Sequence, residues 1–248
     1  MISTKRSAAI LVMLLMVSCA GSKGEQKTKP LTLEDHFQLA FEAAERGNLE
    51  EAISEYKKVL NMDSKYASAH LNLGVVYSRQ GKTKKEISEY KKAIDINPNL
   101  TEAYFNLGVA YGEQGKSDEA IHYYEKALQA NPKHVEAMNN LGVQYLKKGK
   151  LEEAQSEYKK ALDINPGYVK SIFNLGYIYH QQGKSEEAIS SFLEVLKIQP
   201  NDAEAHTNLA AIYYEKKEYQ LAIQHVDEAI KLGKQVDPRF LEHLNPYR

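Results

Sequence analysis

The sequence is short of the features that mark several common protein classes. It has no tryptophan and a single cysteine, Cys19, among 248 residues. Its 32 Lys and Arg nearly balance its 33 Asp and Glu, for a formal net charge of −1. A general nucleic-acid-binding protein would show a basic excess, so this balance argues against that class. The apolar run from Ala8 to Val17 has ten residues, which is too few for a typical transmembrane helix.

Catalytic and ligand-binding motifs are also missing from the sequence. The eight histidines sit apart, and no His-x-x-x-His spacing suggests a metal site. No glycine-rich phosphate loop follows a strand pattern, and no nucleophile lies beside a base in any motif. We therefore expect a non-catalytic protein without a metal, a cofactor or a small-molecule substrate.

The first 18 residues are predicted to be a signal peptide. Lys5 and Arg6 precede the ten-residue apolar core, and "MVSCAG" follows it. This segment resembles the lipobox of bacterial lipoproteins, in which the cysteine is acylated and becomes the first mature residue. Met16 stands where that family usually has leucine. The alternative is an ordinary signal peptide cut near Ala20, with Cys19 discarded.

Residues 19–32 are predicted to form a lipidated flexible tether. The stretch from Ala20 to Pro30 is polar and has no apolar periodicity, and a chain of that length spans about 20 Å on average. The resemblance implies that acylated Cys19 leaves the mature chain without a thiol. It also implies an outer-membrane location facing the periplasm, because an Asp after the cysteine often signals inner-membrane retention and here Ala20 follows. An inner-membrane or secreted protein is the alternative.

A 34-residue period dominates the sequence after residue 32. Five glycines recur at that spacing: Gly47, Gly81, Gly115, Gly149 and Gly183. Counting back from them divides the chain into six windows: 33–66, 67–100, 101–134, 135–168, 169–202 and 203–236. Leucine occupies window position 7 in all six, and Gly or Ala occupies position 8. Tyr or Phe occupies position 24 in five windows, and proline occupies position 32 in four. With this period and pattern the chain resembles the tetratricopeptide repeat family.

The resemblance implies an all-α, right-handed superhelical solenoid of six helical hairpins. Positions 4, 7, 8 and 11 lie on one stripe of a first helix, and positions 20, 24, 27 and 28 on one stripe of a second. The glycine at position 15 supplies a positive φ between them, and the proline ends the second helix. Residues 237–248 are predicted to cap the last hairpin, because Asp237 and Pro238 begin a short helix that carries Phe240, Leu241 and Leu244.

Polar amides recur at window position 6, on the side of the first helix away from its core stripe. The family places first helices on the concave side of the superhelix, so we expect a ladder of side-chain amides along a groove. An amide offers two donors and an acceptor, which suits it to pair with the backbone of an extended peptide. The alternative is that these amides only solvate the groove or tie neighbouring hairpins together. The predicted ladder comprises Gln38, Asn72, Asn106, Asn140, Asn174 and Asn208.

An apolar strip is predicted beside the ladder, at window positions 5 and 9. Such side chains would give a bound peptide apolar anchors, although those at position 5 are equally explained as half-buried packing. The strip includes Phe105, Val109, Val143, Phe173 and Tyr177.

We also make predictions for Glu86 and for three of the histidines. Glu86 replaces the small residue at position 20, and we expect its side chain to splay outward near Lys82. His36, His70 and His206 share position 4, where the family packs aromatic residues, so we expect packing roles for them.

The sequence therefore predicts a membrane-tethered scaffold that binds an extended segment of another protein in its groove. The alternative is an outer-membrane assembly factor resembling the pilotin lipoprotein of type IV pili, which has the same anchor and repeat number.

Overall fold

The computed structural model describes residues 30–248, and within that range the chain forms helices and no β-strand. The predicted signal peptide of residues 1–18, Cys19 and the part of the predicted tether up to residue 29 lie outside the described residues. The first twelve helices alternate in length: the odd-numbered ones have 13 residues and the even-numbered ones have 14, except the twelfth, which has 13. They are α1 (Leu33–Glu45), α2 (Leu49–Met62), α3 (Ala67–Arg79), α4 (Thr83–Ile96), α5 (Thr101–Glu113), α6 (Ser117–Ala130), α7 (Val135–Lys147), α8 (Leu151–Ile164), α9 (Val169–Gln181), α10 (Ser185–Ile198), α11 (Ala203–Glu215) and α12 (Tyr219–Lys231).

Each odd-numbered helix pairs with the next helix to form a hairpin, and the turn between them depends on a left-handed residue. The five glycines at position 15 have φ between 68° and 79°, as the sequence predicted. In the sixth hairpin Lys217 occupies that place with φ 63°, a backbone region that costs roughly 1–2 kcal/mol for a residue with a Cβ. The last hairpin therefore keeps the turn without the residue that suits it.

In the second to fifth hairpins the two helices approach closely because position 8 is glycine and carries no side chain. A Cβ atom built on Gly108 would lie 2.6 Å from ring carbons of Tyr124, and Gly74 and Gly142 face their own tyrosines equally closely. The rings fill the space that the glycines leave, and Tyr90, Tyr124 and Tyr158 are at most 3% exposed.

Hairpins stack in chain order, and the second helix of each packs on the first helix of the next. First helices also contact one another, since α3 touches both α1 and α5, and α5 touches α7. No comparably close approach joins second helices of neighbouring hairpins in the described part of the chain. The first helices therefore lie on the inner side of the curve, and the all-α solenoid predicted from the sequence is confirmed.

A thirteenth helix, α13 (Pro238–Leu244), covers the end of the stack and leads into a short 3₁₀-helix, Asn245–Tyr247. The Asp237 side chain accepts a hydrogen bond from the backbone N–H of Arg239, with Pro238 in the first turn. Leu244 is fully buried, and Phe240 and Leu241 pack against the same apolar cluster. This helix closes the apolar face that the sixth hairpin would otherwise expose.

Candidate functional site

The six position-6 amides lie along the face formed by the first helices. All five asparagines are half-buried, and Gln38 at the N-terminal end is exposed. The asparagines are therefore neither sealed between hairpins nor placed on the outer face of the solenoid.

Two of the asparagines hydrogen-bond to a tyrosine hydroxyl from the preceding hairpin. Asn72 on α3 pairs with Tyr56 on α2, and Asn140 on α7 pairs with Tyr124 on α6. Each pair joins a second helix to the next first helix across 16 residues of sequence. Burial raises the pKa of Tyr124 to about 12, and its bond to Asn140 opposes that shift. The bonds use part of each amide to hold successive hairpins together.

The junction between the fourth and fifth hairpins departs from this pattern. Asn174 donates instead to the Oδ1 atom of Asn139 at 3.2 Å, and Ser171 donates to the same oxygen at 3.2 Å. Asn139 in turn donates to Asn140 at 3.2 Å. The hydroxyl of Tyr158, which would meet Asn174 in the pattern of those two junctions, is buried without a hydrogen-bond partner.

Sequence reasoning missed three members of this network. Asn139 stands at position 5, where three of the other first helices have phenylalanine and one has leucine, and it is only 3% exposed. Ser171 stands at position 3, where four other windows have alanine, and it is fully buried. Tyr158 fits the repeat pattern, which predicts a core residue and does not indicate an unpaired hydroxyl. The two polar departures, one window apart, were the available signal.

The remaining residues of the ladder are Asn208, Gln38 and Asn106, and the first two hydrogen-bond within their own helices. Asn208 donates to the backbone carbonyl of Glu204 at 2.8 Å, within α11. The preceding hairpin offers it no hydroxyl, because Phe192 replaces the tyrosine. Gln38 donates to Glu42 at 2.9 Å on the surface of α1. Asn106 is half-buried on α5 between these ends.

The apolar strip divides into packing residues and accessible ones. Phe105 and Phe173 are half-buried and pack edgewise or tilted on Tyr124 and Phe192, with ring centroids 5.9 Å and 5.2 Å apart. At position 9, by contrast, Tyr177 is 40% exposed. Val109 and Val143 are half-buried at the same position of the third and fourth hairpins.

Two adjoining depressions form the middle of this face, and we call them together the central groove. The smaller one, of about 220 Å³, lies between α5 and α7, and its lining includes Val109, Tyr124 and Asn140. The larger one, of about 390 Å³, lies between α7 and α9, and its lining includes Phe173 and Asn174. Val143 lines both depressions, so they adjoin at that side chain.

Charges of both signs line the central groove. Glu113 and Lys147 lie at the smaller depression, and Lys170 and Asp202 lie at the larger one. The groove therefore has no single electrostatic preference, and its shared features are apolar walls and amides.

Glu86 does not splay outward as expected. It is 2% exposed and its carboxylate hydrogen-bonds to Ser78 of the same hairpin. Burial raises the pKa of Glu86, the Ser78 bond opposes that shift, and nearby Glu113 adds to it. The expectation was wrong because Ser78, one residue before the end of α3, gives the carboxylate a partner inside the hairpin.

The position-4 histidines are engaged in polar pairs as well as packing. The Nδ1 atoms of His36 and His70 each lie 2.6 Å from a glutamate oxygen, of Glu55 and Glu89 respectively. His206 meets a second histidine, His225, at 2.9 Å. Among residues 30–248, no cluster of three or more His, Cys, Asp or Glu is arranged to hold a metal ion. None of the helices described there is long and apolar enough to cross a bilayer.

These stacked hairpins, with an open inner face, define a helical-repeat scaffold of the kind that binds other proteins. Family models for the tetratricopeptide repeat match residues 105–169, 157–190, 67–100 and 203–234, and models for the TPR repeat match 43–81, 87–115 and 176–217. Together they leave no gap between residues 43 and 234. The chain belongs to the tetratricopeptide repeat family.

Solved structures support the fold. YrrB, a TPR protein with an unusual peptide-binding site, is 24% identical with a TM-score of 0.64, covering 77% of this chain and 97% of YrrB. MamA is 27% identical with a TM-score of 0.61, covering 69% and 94%. The pilF protein of Pseudomonas aeruginosa is 22% identical with a TM-score of 0.70, covering 78% and 88%. The likenesses to YrrB and pilF concern the fold alone. No curated protein sequence matches the chain.

Proposed function

We propose that the protein is a membrane-tethered scaffold that binds an extended segment of a partner protein in its central groove. The observation that carries the proposal is the pair of adjoining depressions, each of which combines an apolar wall with a position-6 asparagine. Apolar side chains of a peptide gain affinity from such walls, and amides fix its backbone.

The repeat spacing specifies the ligand further. Neighbouring first helices pack roughly 10 Å apart, and an extended chain advances about 3.3 Å per residue. One hairpin therefore corresponds to about three ligand residues. We propose a segment with two apolar side chains three residues apart, one in each depression of the central groove.

The partly satisfied amides support this role. The two donors and the acceptor of Asn140 exceed the bonds it makes to Tyr124 and Asn139, so capacity remains on its exposed side. The tyrosine bond also fixes the direction of the amide before a ligand arrives, which reduces the entropy lost on binding. The bonds between hairpins and the proposed ligand contacts are therefore compatible.

Tethering through acylated Cys19 at the outer membrane, facing the periplasm, remains part of the proposal. Its support is the signal peptide of residues 1–18 and the small residues around Cys19. Replacing Cys19 by Ala should move the protein from the membrane fraction to the soluble fraction. An unchanged membrane fraction would contradict lipid anchoring and leave the groove proposal standing.

Substitution at Val143 tests the groove. Val143→Arg places a long charged side chain where the two depressions meet, and it should reduce partner recovery from cross-linked membranes by at least tenfold. The matched control is Met62→Arg, because Met62 is an apolar residue 54% exposed at the end of a second helix. Both variants should keep the wild-type helix content. Equal recovery with the two variants would refute the proposed site.

The assembly-factor alternative makes a different prediction from the same samples. If the protein resembles a pilotin in function, the partner recovered with wild type and lost with Val143→Arg should be a secretin subunit. Its fold likeness to pilF does not decide between the two roles.

A further inference from the structure

The sixth hairpin contains a histidine pair in a slot that holds a histidine–glutamate pair in the first two hairpins. In each case a position-4 residue on the first helix meets the residue 19 places later on the second helix. His36 meets Glu55 and His70 meets Glu89, whereas His206 meets His225. The carboxylate that would balance a protonated imidazole is therefore replaced by a second imidazole.

The hydrogen bonds define the proton positions of the neutral pair. The Nε2 atom of His206 lies 3.4 Å from the backbone carbonyl of Pro200, which can only accept a hydrogen bond, so this nitrogen carries a proton. A neutral His206 then has a bare Nδ1 atom. The Nδ1–H group of His225 donates to it across 2.9 Å. The bond between the two rings therefore forms without a charge on either of them.

The two possible protonations affect the pair differently, and a proton on His225 leaves the Nδ1–H···Nδ1 bond in place. A proton added to His225 places a positive charge on a half-buried ring that stacks on Tyr213 at 5.5 Å. A proton added to the Nδ1 atom of His206 sets two donors against each other and breaks the bond. Burial first, and then the neighbouring His206, lower the pKa of His225 from 6.5 to about 4.

Other charged groups nearby act on different atoms. His180 on α9 pairs with Glu215 on α11 at 2.9 Å, and Glu186 on α10 pairs with Lys216. Lys216 and Glu218 act on the hydroxyl group of Tyr213. His243 on α13 stacks on Tyr214. Among the described residues, His206 is the group whose charge acts on His225. The His180–Glu215 pair is unchanged in the variants below.

We propose that the His206–His225 pair makes the sixth hairpin an acid-sensitive element, which loosens from the solenoid when the pair is protonated. The hairpin carries the apolar cluster that Leu244 of the capping helix completes, so loosening releases the cap as well. In the first two hairpins the same slot places a carboxylate, of Glu55 or Glu89, opposite the imidazole.

The direction and the size of the pH effect on the stability of this hairpin follow from proton linkage. The folded His225 binds its proton less tightly than the unfolded one, so stability is fully present above pH 6.5 and falls as the pH falls toward 4. Between pH 7.5 and pH 5 the opening equilibrium of this hairpin should rise about 30-fold.

Hydrogen exchange of the full chain tests the proposal. After correction for intrinsic rates, protection of α11 and α12 should fall about 30-fold between pH 7.5 and pH 5 relative to α3 and α4. His225→Glu recreates the pair of the first two hairpins and should abolish the fall. His225→Gln, which cannot be protonated, should reduce it below threefold. His122→Gln removes an exposed histidine on α6 and should leave it unchanged.

Two outcomes would overturn the proposal. One is a wild-type protein in which protection of α11 and α12 does not fall on acidification. The other is an equal fall in wild type, His225→Glu and His225→Gln, which would assign the acid response to another group. Because the readout is exchange in the free chain, neither outcome depends on partner binding.

Discussion

Two buried tyrosines at the same position of neighbouring hairpins should respond oppositely to loss of their hydroxyl groups. Tyr124 hydrogen-bonds to Asn140, whereas the Tyr158 hydroxyl is buried without a partner. Phenylalanine fits this position, because Phe192 occupies it in the fifth hairpin and is fully buried. Tyr124→Phe and Tyr158→Phe therefore remove the same atom from equivalent sites.

The expected magnitudes follow from the state of each hydroxyl. Tyr124→Phe loses one buried hydrogen bond and leaves part of the Asn140 amide unpaired, which should cost about 1 kcal/mol. Tyr158→Phe removes a desolvated group that makes no bond, which should stabilise the fold by about 1 kcal/mol. For a chain of this size, each change should shift the Tm by about 2–4 °C, downward for Tyr124→Phe and upward for Tyr158→Phe.

Calorimetry of the two variants beside wild type is the assay, with circular dichroism to verify equal helix content. The double variant should melt close to wild type, because the two sites do not share a partner. A lower Tm for Tyr158→Phe, similar to that of Tyr124→Phe, would show that the Tyr158 hydroxyl has a partner in solution. The conclusion that this hydroxyl is unpaired at the junction between the fourth and fifth hairpins would then be wrong.

Three further substitutions test other parts of the fold by thermal melting. Glu86→Ala should stabilise by about 1 kcal/mol at pH 7 and by less at pH 4, because a buried carboxyl with a raised pKa destabilises the fold only above its unfolded pKa of 4.5. Lys217→Gly should stabilise by about 0.5–1 kcal/mol, since it relieves a positive φ. Gly108→Ala should destabilise by about 1–3 kcal/mol, because its Cβ would collide with the Tyr124 ring. Shifts of opposite sign would contradict each assignment.

The fold could be predicted because the same residue types recur at the same positions of the hairpins. Leucine, glycine and aromatic residues at fixed positions define the buried stripes, and the turn glycines adopt the positive φ that the sequence indicated. Lys217 shows the limit of this reading. It takes the same conformation with φ 63° although no local preference favours it, because the packing of α11 on α12 determines the turn.

The candidate site was only partly predictable. The spacing of the asparagines placed them on the first helices, but it did not show that Asn72 and Asn140 bond to tyrosines of the preceding hairpin. That contact depends on how far one hairpin rotates relative to the next, which a helical-periodicity argument within one helix does not contain. Whether the asparagines also bind a ligand stays a prediction.

Polar residues at interior positions were the hardest to interpret. Glu86 and Asn139 both break the repeat pattern, and both are buried with hydrogen-bond partners. Of their partners, Ser171 replaces the alanine usual at position 3, whereas Ser78 stands at position 12, where no residue type recurs. Only the three-dimensional pairing distinguishes a buried network from a solvated surface.

Site-specific cross-linking from the two faces of the fifth hairpin tests the central claim most directly. Tyr177 on α9 and Leu193 on α10 are 40% and 44% exposed, so a photoreactive residue at either position samples solvent to a similar degree. If the inner face binds an extended partner segment, position 177 should cross-link to one partner protein through a continuous stretch of its sequence, and position 193 should not. Equal cross-linking from both positions, or a partner captured only from position 193, would contradict the account.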